Sequence, residues 1–223
     1  MMSQLAETKP NGSFYFSEDN TEEFMDMFDG FLTWQWVMNE QVPAFPAVYA
    51  GYVQMLGRNT LGKKKDDVEF FKYSLAKAFV YGQQLGWIKA DVIYSEEKLP
   101  FLKTLVRERY KHSDTFIYSD MLRPPFVSCS LAPKVTPPAM HYTNDVVMEQ
   151  VCAGAWRHRV SGKTVIFVIN IAKEECEYTL SFDSREYGVD EAALLERGFA
   201  LDGDGVAKIT EKIAPESITV FEF

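Results

Sequence analysis

Acidic side chains gather just after an aromatic run near the amino terminus. Ser13-Phe14-Tyr15-Phe16-Ser17 is followed by Glu18, Asp19, Asn20, Thr21, Glu22 and Glu23, and then by Phe24. The aromatic residues favour a pleated, buried backbone. The acids read as a turn and a helix start, with Asp19 as N-cap and Glu22 as its capping-box partner. Glu18 comes before that cap, at the carboxyl end of the strand, where barrel and open-sheet enzymes hold their chemistry. A carboxylate there can give or take a proton or attack as a nucleophile. Attraction to the positive end of the helix dipole explains Asp19 and Glu22 as plain caps. It does not explain Glu18.

Other chemistry-bearing residues are sparser. Trp34 and Trp36 alternate in Leu32-Thr33-Trp34-Gln35-Trp36, a pattern that serves either a sugar groove or packing at a helix end. Gln83, Gln84 and Trp87 are polar-ligand candidates beside Gly82 and Gly86, although helix termination alone accounts for the glycines. His112, His141 and His158 lie far apart and read as surface or hydrogen-bonded histidines. Asp202-Gly203-Asp204-Gly205 is a turn and not a calcium loop, because Val206 occupies the next ligand position. The chain has no Gly-rich phosphate loop, nucleophile elbow or zinc-protease helix. Neither a cofactor nor a metal is expected.

The elements that must position these residues fall into two textures. Phe24, Met27, Phe28, Phe31 and Leu32 recur at helical spacing, with Gly30 weakening that helix. In Val42–Gly51, Pro43 and Pro46 disfavour a regular central strand but leave room for a short or bulged one. Asp66 or Asp67 caps a helix with the stripe Val68, Phe71, Leu75, Ala78 and Phe79. A third helix begins near Glu97, with Pro100 in its first turn and Leu99, Leu102, Leu105, Val106 and Arg109 on one face. From about Phe126, β runs separated by turns take over: Val146–Ala155, Lys163–Asn170, Glu177–Phe182, Val206–Thr210 and Ser217–Phe223, with Ser161-Gly162 turning between the first two. Strands at this spacing predict an antiparallel sandwich.

Composition bounds the partners. The 223 residues carry a net charge of −9 with both signs interspersed, which argues against a nucleic-acid backbone or an anionic membrane surface as partner. No run approaches the roughly 18–20 apolar residues of a membrane span. The first ten residues lack an apolar signal core, so a cytoplasmic location is expected. Cys129, Cys152 and Cys176 fit neither a disulfide framework nor a zinc pattern and are expected as free thiols.

Several segments together resemble a family. They are Ser17–Glu22, Phe28-Asp29-Gly30-Phe31-Leu32-Thr33-Trp34, Val42–Tyr49 with Gly57-Arg58, Gly82–Trp87, Leu122-Arg123-Pro124-Pro125, and Ala155-Trp156-Arg157 followed by Val165–Asn170. The set is similar to the last third of an uncharacterised bacterial glycoside-hydrolase-like family, a (β/α)8 barrel followed by a small β-sandwich. The resemblance implies an α+β chain. Residues 1–125 would be a partial barrel of about two strands and three helices, and residues 126–223 the sandwich. Ser13–Ser17 would be a late barrel strand and Pro43–Tyr49 the last. Glu18 matches the strand-end glutamate and is the catalytic candidate. Asn20, Glu22, Trp34, Arg58 and Trp87 are the candidates for carbohydrate binding.

Two strands cannot close a barrel that needs eight. The open edge would then need cover: a second copy, a partner chain, or helices repacked over the sandwich. Glycoside hydrolysis also needs two carboxylates flanking the bond, about 5–5.5 Å apart for retention or about 6.5–9.5 Å for inversion. Only Glu18 is in hand, so the chain is expected to be inactive alone. The alternative is a non-catalytic module that binds carbohydrate or a partner subunit. A gene remnant with no independent role is the third reading.

Overall fold

The computed structural model describes residues 10, 12–17, 22–33, 43–57, 67–86, 88–137 and 145–223. Strands β1 (Phe16–Ser17), β2 (Gly30–Thr33) and β3 (Gln54–Gly57) form a parallel sheet in that order, with Phe16 opposite Gly30 and Thr33 opposite Gly57. The ladder extends one rung further. Leu56 bridges Gln84 in parallel, the Gln84 amide donates to the Met55 carbonyl (2.6 Å), and the Gly57 amide donates to the Gln84 carbonyl (2.9 Å).

Three expectations are corrected here. Gly30–Thr33 is a strand, and helical geometry before it is confined to a single 3-10 turn at Glu22–Phe24. Phe31 and Leu32 are both buried, so this short strand shows no alternation, and its apolar residues mimic a helical period. Gly30 is required rather than tolerated: a Cβ there would lie 2.3 Å from the Phe16 ring and 2.6 Å from the Gln54 carbonyl. Pro43–Tyr49 is not a strand either. Ala44–Tyr49 is helix α1, with Pro43 at its N-cap and Pro46 in its first turn, where no N–H is needed. The run Phe14–Phe16 is not buried: Phe14 is 71% and Phe16 46% exposed, because among the described residues β1 pairs on one side only.

Helix α2 (Val68–Val80) is the layer behind the parallel sheet. Asp67 caps it by accepting from the Phe70 amide at 2.9 Å. Nearly all of its residues from Phe70 to Val80 are buried, well beyond the single stripe the sequence suggests, because it is covered on two sides. Ala78 packs under Gly57 of β3, and Val80 packs over Gly154 on the opposite side, each too close to leave room for a Cβ on the glycine. Helices α3 (Leu99–Lys111) and α4 (Ser113–Tyr118) complete this half. In α3 the buried residues are Phe101 and Leu105, while Val106, expected on the same face, is 48% exposed.

The carboxyl-terminal half is an antiparallel sandwich. One sheet is ordered β13 (Ile218–Glu222), β9 (Thr164–Asn170), β8 (Val151–His158), β4 (Ser119–Met121). The other is ordered β11 (Ala200–Leu201), β12 (Val206–Ile213), β10 (Cys176–Asp183), β5 (Phe126–Cys129). A hairpin, β6 (Lys134–Thr136) with β7 (Val146–Met148), stands apart from both. The first sheet takes in Ser119–Met121, upstream of the expected boundary at residue 125, and these residues pair with Trp156–His158. Helices α5 (Ser184–Tyr187) and α6 (Glu191–Glu196) follow β10.

β9 is buried at every position because both faces of its sheet are covered. Ile166 and Val168 face the second sheet, against Tyr178, Leu180 and Ile209. Val165, Phe167 and Ile169 face the helical half, against Phe79, Phe101 and Phe116. A strand covered on both faces reads as a continuous apolar run, as Val165-Ile166-Phe167-Val168-Ile169 does. The two halves therefore share one apolar cluster, and polar ties reinforce it. The Trp156 indole N–H donates to the Val80 carbonyl (3.2 Å). The buried Lys72 ammonium pairs with Glu216 (2.5 Å). Arg159 donates to the carbonyls of Ala50 (2.6 Å) and Ser119 (3.2 Å) while pairing with Asp120 (2.8 Å).

Candidate functional site at the carboxyl edge of the parallel sheet

Parallel strands in register end together. Ser17, Thr33, Gly57 and the Gln84 rung run side by side in one direction, so the residues that follow them leave from one edge. In the sequence Glu18 follows Ser17, Trp34 follows Thr33, Arg58 follows Gly57, and Trp87 comes shortly after Gln84. Open sheets and barrels bind and transform ligands at this edge. Glu18, Asn20, Trp34, Arg58 and Trp87 themselves lie outside the described residues.

Glu22 is the one sequence candidate that is described. It is exposed, in the 3-10 turn after β1, and shares a hydrogen bond with the Tyr49 hydroxyl at the end of α1. That bond, with smaller contributions from burial and the nearby charge, raises the Tyr49 pKa. The contact commits the Glu22 carboxylate to a phenol. Gln54 and Gln84 join the first and last parts of the edge through an amide–amide bond of 2.9 Å. Gln83 is buried, with its Oε1 beneath Gly57, and its Nε2 has no hydrogen-bond partner among the described residues.

The remaining titratable groups serve packing. Burial pushes the Cys152 thiol up to about 11, and burial with the Cys129 sulfur beside it does the same to Cys176, so neither is a nucleophile at neutral pH. All three cysteines are free. His112, read from sequence as a surface or hydrogen-bonded residue, is buried against the Phe167 ring between Glu108 and Glu222. His141 lies outside the described residues. Among the described residues no three His, Cys, Asp or Glu side chains converge as metal ligands.

Sequence reasoning placed Arg109 on an apolar helix face and took it no further. The structure puts it in the wall of an open cavity of about 350 Å³ between α3 and α4, next to Gln84 and Leu85. A cation on a buried stripe was the available signal.

No family model matches the chain. A segment of 85 residues, 35% of the chain, is 38% identical to a protein of Monosiga brevicollis whose name assigns it provisionally to the glycoside hydrolases. That segment corresponds to 7% of the relative's length, so most of the relative has no counterpart here. Among solved structures, a noncanonic maltogenic alpha-amylase from Thermotoga neapolitana, AmyB, overlays 99% of this chain on 56% of its own at a TM-score of 0.49 and 14% identity. The chain thus has a partial sequence relative named as a glycoside hydrolase, and its own fold is mixed α and β with antiparallel sheets.

Proposed function

We propose that this chain is the carboxyl-terminal part of a carbohydrate-active protein of glycoside-hydrolase type. Residues 1–125 are a barrel-like wall and residues 126–223 a sandwich that supports it. The observation that carries this reading is the shared carboxyl edge of the parallel rungs, from which Glu18, Trp34, Arg58 and Trp87 follow in sequence. An acid, a guanidinium and two indoles suit a sugar: indole rings stack on its apolar face, and the charged groups take its hydroxyls. Glu18 is the acid–base or nucleophilic carboxylate. Its partner is not on this edge, because glycoside hydrolysis sets the second carboxylate across the scissile bond. The one other candidate acid described, Glu22, is held by Tyr49. The chain therefore binds sugar but does not turn it over alone. The same reading makes β1 the seam at which further barrel wall, from a partner chain or a second copy, adds on.

The test pairs a glycan panel read by tryptophan fluorescence with an aryl-glycoside panel read by released phenol. The expected result is quenching by at least one glycan, lost in Trp34→Ala and Trp87→Ala, with no turnover. Silence across the glycan panel overturns the carbohydrate reading. Turnover that disappears in Glu18→Gln overturns the claim of inactivity while confirming the residue.

A further inference from the structure

The cavity between α3 and α4 lies outside the site just described and does not depend on Glu18. Its wall combines Leu85, Val106, Phe116 and Ile117 with Gln84, Arg109, Tyr110 and Ser113. Arg109 is the unusual member. One Nη donates to the Gly82 carbonyl at 2.9 Å, and the guanidinium stacks 4.6 Å from the centre of the Phe116 ring. The other, Nη1, is closed off from solvent and has no hydrogen-bond partner among the described residues. Burial alone lowers the Arg109 pKa to about 10, with no carboxylate acting on it.

A buried guanidinium ordinarily faces a carboxylate or a full set of acceptors, because an unpaired buried charge is costly. Here one carbonyl and one ring face stand in for that set. The planar fork that remains matches a carboxylate, which accepts two parallel N–H bonds. Ser113 adds a hydroxyl at the same wall, and Tyr110, 85% exposed, stands at the rim. The volume suits a molecule of monosaccharide size, and the apolar lining suits a ring face.

We propose that this cavity binds a small organic carboxylate, with Arg109 holding the carboxylate group and the Val106–Ile117 wall holding its carbon skeleton. A sugar acid and an aromatic acid share that chemistry, and two arms of the experiment separate them. Glucuronate, benzoate and neutral glucose are titrated into the whole chain, followed by calorimetry and by amide chemical shifts. The expected result is saturable binding of glucuronate or benzoate, at least tenfold tighter than glucose, with shifts centred on residues 106–117. Ile117→Trp fills the cavity from a 44% exposed position without touching the Arg109 contacts, and it should abolish binding while the amide spectrum stays native. Arg109→Lys keeps the charge but loses the fork, and should weaken binding by at least tenfold. Three results overturn the proposal: no carboxylate binding at millimolar concentration, glucose binding as tightly as the acids, or affinity unchanged in Ile117→Trp. None of them bears on the glycan panel, so this inference and the carbohydrate reading fail separately.

Discussion

The two sheets of this chain reach stability by different routes. In the sandwich, β10 and β12 run eight residues each and pair along their whole length, and the second sheet closes over them. In the parallel sheet, β1 has two residues and β2 and β3 four each, with a single-rung extension at Gln84. Short parallel strands carry few hydrogen bonds, and such sheets are stable only with both faces covered. One face is covered by α2, and α2 is held in turn by β8 and β9. The sandwich therefore stands by itself, whereas the parallel wall depends on it. Polar contacts at the seam between them are where that dependence can be cut.

The largest effect is expected at Trp156. It is fully buried and joins β8 to α2 through Val80. Trp156→Ala should cost roughly 3–5 kcal/mol in urea unfolding. Hydrogen exchange should show the loss concentrated in α2 and β3, with the β10–β12 ladder keeping its protection. Uniform loss in both halves would refute the proposed one-way dependence.

Next comes the ion pair across the seam. Glu216→Gln leaves the Lys72 ammonium, whose side chain is 2% exposed, without its carboxylate. The cost should be about 2 kcal/mol. Lys72→Met leaves Glu216, which water reaches, and should cost less than about 1 kcal/mol. Equal costs would mean that the buried charge is solvated some other way.

The cap of α2 ranks third. Asp67 accepts from the Phe70 amide and also from the Thr136 hydroxyl at 3.3 Å, so it ties the helix to the β6–β7 hairpin. Asp67→Ala should lower stability by about 1 kcal/mol, measured as a shift in the urea midpoint.

The smallest effect is a pH dependence at the far end of the seam. Burial lowers the His112 pKa below its usual 6.5, opposed by Glu222 of β13 and Glu108 of α3 and assisted by Lys111 and Lys163. The unfolded chain then holds this proton more tightly than the folded one. The contribution is complete above pH 6.5 and is lost as the pH falls from there through the lowered folded value. Subtracting the curve of His112→Gln from that of the wild type should isolate this slope. A difference curve flat between about pH 7 and pH 5 would remove it.

Legibility in the sequence divides along the same line. The strands of the sandwich read correctly because turns bound them and β9 is an unbroken apolar run. Helix α2 read correctly from its cap and its stripe. The parallel sheet did not. A four-residue strand buried on both faces, such as Gly30–Thr33, is too short to show a period of its own, so Phe28, Phe31 and Leu32 took on a helical one. Pro43 and Pro46 sit in the first turn of a helix, a place their chemistry permits as readily as a loop. Candidate residues were named through the resemblance, but their common edge became visible only once β2 and β3 were placed. Arg109 stayed hidden because nothing local distinguishes a buried arginine from a solvated one.

The indole of Trp156 and the carbonyl of Val80 are 76 residues apart in the chain. A ribosome releases the parallel wall and α2 long before it has made the strands that cover them. Until β8 and β9 have emerged, Phe79, Phe101 and Phe116 have nothing to rest against, and the nascent chain carries an open apolar face. The first half to be synthesised is thus the last to be finished, and the interval between the two is when this protein most needs a chaperone.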